Sequence, residues 1–286
     1  MKTRYIIPIL ILIFAQTGFA QIRCVLLDVE TNEPIDYANI WIENHDVGTF
    51  SNQYGFFSLV TNSTSEKIII THVGYNTKHI FIKEIKDTIF LNPIILKLNT
   101  VIIAKKKNKK NIIIDEIKEN DVVLYFGTDL KYPWIIAKYF PYDAKFENLR
   151  FLKKISLITG IDQKADFNIR IYSASEDGKP YEYLSSENII ATAKKGFHKT
   201  EVDISKLNIL FPKDGLFIAI ENIKDVNSPK FKNTSLVLGL DLSNKSQSTY
   251  FYYKGEWLEK IDSAKNKENK MLNLFKAVMI ELTLSD

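Results

Sequence analysis

The sequence predicts an exported all-β chain made of two sandwiches in series, the second larger than the first and jelly-roll-like. Three observations carry that expectation. Apolar residues come in short runs of strand length, turn-forming residues separate the runs, and no helical period of comparable length follows the first twenty residues. With 286 residues, 45% hydrophobic and 25% charged, the chain has material for one or two cores and is not disordered by composition.

Residues 1–20 open with Lys2 and Arg4, continue as an apolar run from Tyr5 to Phe14, and end with the small residues Gly18 and Ala20. This is the pattern of a secretory signal peptide cleaved after Ala20. A membrane-spanning helix needs about 20 apolar residues, and this run is broken by Pro8 and closed by Gln16 and Thr17. No transmembrane segment is therefore expected in the mature chain. Cys24 follows Gln21, Ile22 and Arg23 instead of a row of small residues, which argues against lipidation. As the single cysteine of an exported chain it has no internal disulfide partner, and its apolar surroundings predict a buried thiol. The expected address is the periplasm, the outer membrane's periphery or the cell surface.

The charge balance narrows the partner classes. The chain has 38 Lys and Arg against 34 Asp and Glu, so its net charge is +4, and loss of Lys2 and Arg4 with the leader leaves +2. Five lysines (Lys105, Lys106, Lys107, Lys109 and Lys110) fall in one short stretch, so the rest of the mature chain is about 3 charges negative. That argues against a broad nucleic-acid-binding face.

Residues 21–104 form the expected first domain. Its strand candidates are 22–27, 38–43, 56–60, 67–73, 79–83 and 94–98, separated by turn-rich segments such as Asn52-Gln53-Tyr54-Gly55. In Ala38-Asn39-Ile40-Trp41-Ile42 the aliphatic side chains recur at every second position, which puts them on one face of a strand. Residues 105–119 are expected to be a solvated basic linker, with attraction to anionic lipid or an acidic partner as its functional alternative. Residues 120–286 form the second domain, with strands expected at 151–159, 166–172, 188–193, 199–204, 216–221, 235–242, 249–253 and 272–284. The aromatic, proline-broken segment Tyr132 to Tyr142 is expected to lie across this sandwich as an irregular cover.

Taken together, Asp28 with Glu33-Pro34-Ile35, Ala38-Asn39-Ile40, Gly48-Thr49 with Ser51-Asn52, Gly55-Phe56-Phe57 and Val73-Gly74-Tyr75 resemble the carboxypeptidase regulatory-like domain. The resemblance implies a transthyretin-like β-sandwich and a structural or interaction role, since that domain carries no catalytic residues in the family. Ala38, Gly48, Thr49, Gly55, Phe57, Gly74 and Tyr75 are its structural motif positions here. Gly48 and Gly55 suit turns that need positive φ, and Gly74 suits a bulge. Asn52 stands where many members have Asp and permits the same side-chain turn. Similar domains begin many outer-membrane receptors of Gram-negative bacteria, but fewer than 190 residues follow here, too few for a receptor barrel. The second domain resembles, more weakly, sandwich modules of surface and secreted proteins from such bacteria.

Catalytic patterns are sparse. His198-Lys199-Thr200-Glu201 has the first spacing of a zinc carboxypeptidase motif, but no histidine follows it, and strand alternation sends His198 and Glu201 to opposite faces. Nucleophile elbows, His-Glu-x-x-His and phosphate-binding glycine loops do not occur. Asp166, Glu176, Asp177 and Asp203 could offer oxygen to calcium, yet no dedicated loop surrounds them, and they are read as solvated turn carboxylates. No catalytic residue, metal ligand or cofactor is expected. The candidate binding element is the aromatic hairpin of Tyr250, Tyr252 and Trp257, whose rings either stack on a partner or pack against Trp134, Tyr139 and Phe140. The expected function is a non-enzymatic envelope scaffold or accessory module docking another envelope or surface protein, with carbohydrate binding as the alternative. The sequence does not fix an oligomeric state.

Overall fold

The computed structural model describes residues 20–45, 47–61, 65–94, 110–127, 134–223, 236–241, 249–253, 256–259 and 277–286. The leader up to residue 19, Lys105 to Lys109 and the hairpin turn at 254–255 lie outside them. Among the described residues the protein is all-β, with three-residue 3-10 turns as the helical elements. No helix there is long and apolar enough to cross a membrane.

The first domain comprises β1 (Ala20–Asp28), β2 (Asn39–Ile42), β3 (Gly48–Phe50), β4 (Phe56–Thr61), β5 (Lys67–Thr71), β6 (Lys78–Phe81) and β7 (Thr88–Leu91). A three-stranded sheet in the order β4-β1-β7 faces a four-stranded sheet in the order β3-β2-β5-β6. Alternation decides which side chains meet between them: Cys24 and Leu26 of β1, Phe57 and Leu59 of β4, Ile40 and Ile42 of β2, and Ile68 and Ile70 of β5 form one core. Burial pushes the Cys24 thiol up to about 11, so it stays protonated and packs as a small hydrophobe.

Side-chain hydrogen bonds close the turns of this domain. Asn52 Oδ1 accepts from Tyr54 N (2.9 Å) and Phe56 N (3.1 Å), the turn expected of Asn or Asp there. Gly55, at φ +72°, leaves no room for a side chain, because a Cβ would sit 2.4 Å from the Leu26 carbonyl oxygen. Two glycines differ from expectation. Gly48 is a strand residue opposite Trp41 instead of a positive-φ turn. Gly74, at φ +82°, stands in a turn and not a bulge, with its carbonyl accepting from Ile94 N at 2.7 Å.

The second domain comprises β8 (Asn111–Ile114), β9 (Leu124–Phe126), β10 (Ile135–Phe140), β11 (Phe151–Ile161), β12 (Ala165–Ala174), β13 (Pro180–Tyr183), β14 (Ile189–Ala193) and β15 (Gly196–Asp203). It continues with β16 (Leu216–Asn222), β17 (Val237–Asp241), β18 (Thr249–Tyr253), β19 (Glu256–Leu258), β20 (Ala277–Val278) and β21 (Ile280–Ser285). One seven-stranded sheet runs β13-β12-β16-β10-β18-β19, with β14 also on β12. The other runs β20-β17-β11-β21-β8, with β15 on β11 and β9 on β17. Their inner faces meet through Ile136 and Phe140, Leu152, Ile155 and Leu157, Phe167, Ile169 and Ile171, Leu216, Ile218 and Ile220, and Leu282 and Leu284.

Two expectations are corrected here. Asn111–Ile114 belongs to no linker: it is β8, paired with Leu282 to Ser285 of β21. Its Ile-Ile-Ile run has strong strand preference, which the neighbouring lysines mask in the sequence. The next residue, Asp115, reaches Lys138 Nζ at 2.9 Å, and that amine also donates to the Ile280 carbonyl at 2.8 Å. Likewise, most of the expected cover from Tyr132 to Tyr142 is β10, a central strand between β16 and β18. It is buried on both faces, so it lacks the polar alternation of a half-exposed strand, and Pro141 just past it marks its end instead of irregularity.

Candidate functional site

The register of the β12-β16-β10-β18-β19 sheet builds its outer face row by row. Asn168, Glu221, Ile135, Tyr252 and Trp257 lie opposite one another across five strands, and Arg170, Ala219, Ala137 and Tyr250 form the adjacent row. Beyond it lie Tyr183, Tyr172, Phe217 and Tyr139. A solvated face would be polar. This one holds a second apolar cluster, and Phe217, Ala219 and Glu221 of β16 are fully buried on it.

Its polar centre is an ion pair out of water. Arg170 Nε stands 2.6 Å from Glu221 Oε2, both side chains being 0% exposed, and Asn168 Nδ2 donates to the same oxygen at 3.1 Å. Burial alone would lower the Arg170 pKa, but the Glu221 carboxylate beside it outweighs burial and raises it. The rings around the pair pack edge to face: Tyr172 against Trp257 (5.4 Å between centroids), Tyr252 against Trp257 (5.2 Å) and Phe217 against Tyr250 (5.1 Å).

The first domain supplies the cover. With Ile40 and Ile42 in its own core, strand alternation turns Asn39 and Trp41 outward, yet both are buried. Trp41 meets Tyr252 at 6.2 Å between ring centroids, and Arg170 Nη2 donates to the Tyr37 carbonyl at 3.2 Å. Tyr37 holds φ 52°, a left-handed conformation rare for a bulky residue. Asn188 Nδ2 lies 3.3 Å from Asp36 Oδ1 and 3.0 Å from His72 Nε2. Burial first, and then the Arg170 charge, push His72 down to about 3. The ring is therefore neutral near pH 7, and its 4.0 Å approach to Asp36 is a polar contact, not an ion pair. Both amide atoms of Asn39, Arg170 Nη1, Glu221 Oε1 and Asn168 Oδ1 find no hydrogen-bond partner among the described residues. Closing this seam therefore carries a desolvation cost that packing and the named bonds must outweigh.

The sequence candidates fall on both sides of this picture. Tyr250 is buried beside Phe217, whereas Tyr252 and Trp257 are half-buried and committed to the seam, on the opposite side of the sheet from Trp134 and Phe140. Of the expected packing partners, Tyr139 alone shares their face. In the first domain Ala38 N donates to Ser51 Oγ (2.8 Å), Phe57 is in the core, and Thr49 is buried in β3. Tyr75 donates to Asp28 Oδ2 at 2.7 Å, which holds the Asp28 carboxyl below its usual range. His198 and Glu201 do not converge. His198 Nε2 lies 2.8 Å from the Lys195 carbonyl, while Glu201 pairs with Lys154 at 2.5 Å.

Sequence reasoning missed Arg170, Glu221, Asn188 and His72, which reveal themselves only when registers are known. A second buried carboxylate, Glu281, was also missed. It accepts from Lys199 Nζ (2.8 Å), Ser156 Oγ (3.0 Å) and Ile117 N (3.1 Å). Burial would raise its pKa, but these bonds outweigh burial and lower it, so it is a satisfied structural anion.

Among solved structures, the chain is similar to the cysteine protease and lectin-like domains of Cwp84, a surface layer associated protein of Clostridium difficile. That match has 9% identity and a TM-score of 0.43, over 84% of this chain and 45% of that one. A clostridial Cwp84 variant after propeptide cleavage gives 10% identity and a TM-score of 0.41, over 84% and 50%. The chain thus spans about half the length of these structures. No curated protein matches it. Residues 22–114 match the family model of the CarboxypepD_reg-like domain, so the match runs to the end of β8, and the first domain is a carboxypeptidase regulatory-like domain.

Proposed function

We propose that the chain is a non-enzymatic, exported envelope module that scaffolds or assists another envelope protein. One observation carries this reading. Three buried polar side chains at the candidate site, Arg170, Glu221 and His72, hold one sandwich against the other instead of lining an open cleft. Catalysis needs groups that converge on a reachable space, and these converge on the Tyr37 carbonyl and on Asn188. The regulatory-like identity of the first domain supports the same reading, as does the charge count against nucleic acid.

The test is affinity capture from native envelope fractions with the tagged mature chain, followed by reciprocal capture with each recovered protein tagged. A stoichiometric envelope partner recovered in both directions supports the scaffold. Recovery in neither direction, or hydrolytic turnover of an envelope peptide or glycan by the purified chain, contradicts it.

A further inference from the structure

One group of buried polar atoms at the seam is left unpaired by the protein itself. Arg170 Nη1, both amide atoms of Asn39, Glu221 Oε1 and Asn168 Oδ1 make no hydrogen bond among the described residues. Their side chains are out of water, Asn39, Asn168 and Glu221 at 0% exposure and Arg170 at 1%. Native proteins rarely strand such atoms, because each unpaired one carries its full desolvation cost.

Two contacts locate Asn39 above the sheet. Tyr37, two residues before it, touches Arg170 of β12 through its carbonyl, and Trp41, two residues after it, meets Tyr252 of β18. From residue 37 to residue 41 an extended chain spans up to about 14 Å, and the three strand spacings from β12 through β16 and β10 to β18 also come to about 14 Å. β2 therefore crosses these strands, and Asn39, whose side chain shares the outward face with Trp41, falls over β16 and β10. Beneath it lie Ala219 and Ala137, opposite one another, with Glu221 one row along. Those methyl groups make a low floor between the longer side chains of Arg170 and Tyr250 at the ends of the same row. Neither Arg170 Nη1 nor Asn39 Nδ2 reaches any of the unpaired acceptors, so these atoms are held apart over that floor.

We propose that ordered water fills this gap, about two molecules bridging Asn39 to Arg170 Nη1, Glu221 Oε1 and Asn168 Oδ1. The unpaired set is mixed: Arg170 Nη1 and Asn39 Nδ2 donate, whereas Asn39 Oδ1, Glu221 Oε1 and Asn168 Oδ1 accept. Water does both, and a buried water makes about 3 hydrogen bonds, so about two satisfy the set. An anion would meet the Glu221 carboxylate and a cation the Arg170 guanidinium, and the pair is already neutral as a whole. An apolar occupant would leave every one of these atoms unpaired. The seam is thus wet at its polar centre and dry in the aromatic packing around it. These waters depend on the seam contacts and not on the scaffold reading, so failed capture of an envelope partner would leave them standing.

The test is a high-resolution crystal structure of residues 21–286, with oxygen-17 relaxation dispersion of water measured on the same chain and on Asn39→Leu and Asn39→Ala, each checked for folding by circular dichroism. The crystal should show water oxygens bonded to Asn39, Arg170 Nη1 and Glu221 Oε1. Relaxation dispersion counts waters held longer than the protein takes to tumble. Asn39→Leu fills the space with apolar atoms and should lower that count by about one or two, whereas Asn39→Ala enlarges the space beside the same ion pair and should not lower it. An Asn39 amide bonded directly to Arg170 or Glu221, an ion at this place, or undocked sandwiches in the crystal overturns the proposal. So does a count that a folded Asn39→Leu chain leaves unchanged, or that Asn39→Ala lowers as much.

Discussion

Replacing Arg170 by Met tests the seam at its centre. The substitution keeps most of the apolar stem but removes the guanidinium, which stands 2.6 Å from Glu221 and 3.2 Å from the Tyr37 carbonyl. Glu221 would remain 0% exposed with only the Asn168 amide, at 3.1 Å, to hold its charge. Breaking one side of a buried pair costs about 3–5 kcal/mol, because the surviving ion is stranded out of water. The double variant Arg170→Met/Glu221→Gln leaves no stranded charge and keeps an acceptor for Asn168. It should return to within about 2 kcal/mol of the wild type, since buried pairs add little over neutral packing. Urea unfolding followed by tryptophan emission and by circular dichroism measures both. A single variant within about 1 kcal/mol of the wild type, or a double variant as unstable as the single, would refute the argument.

Other consequences follow from the same geometry. Gly55→Ala should destabilise the first domain by more than about 1–2 kcal/mol in thermal unfolding, from its positive φ and the 2.4 Å approach to the Leu26 carbonyl. His72, held at about 3 when folded against an ordinary 6.5, binds a proton more readily once unfolded. Stability should therefore fall as pH drops from 6.5 toward 3, and His72→Asn should flatten that part of the profile. The depressed Asp28 carboxyl contributes stability above its ordinary 3.8 and loses it as pH falls through the lower folded value. The advantage of the wild type over Tyr75→Phe should accordingly shrink in acid, as read by melting temperature. Cys24, buried with its thiol near 11, should react with a maleimide at the rate of unfolding and not of diffusion.

Local pattern made much of the fold legible. In Ala38-Asn39-Ile40-Trp41-Ile42 the period of two correctly gave the core face, and Asn52 with Gly55 correctly gave a turn. The expected strand at 216–221 is β16, but β10 was missed because it carries no polar alternation: one side meets the domain's own core and the other a covered aromatic face. β8 was concealed by its lysine-rich approach, and β3 and β7 by their length of three or four residues. The site was less legible than the fold. Arg170 and Glu221 are 51 residues apart and meet only because β12 pairs with β16. Asn188 and His72 come from different domains, at a separation of 116 residues. Even the aromatic hairpin, visible as a cluster, gave no sign of which face its rings would take until Phe251 was seen to enter the core and Tyr250 and Tyr252 to leave it.

The claim on which the functional reading rests is that the seam makes the two sandwiches one unit. Scanning calorimetry of residues 21–286, compared with Trp41→Ala and Asn188→Ala, tests it most directly. The wild type should unfold in one coupled transition, and each substitution, though placed in a single domain, should lower the stability of both and split the transition in two. Two independent transitions in the wild type, with only the substituted domain affected in each variant, would contradict the account.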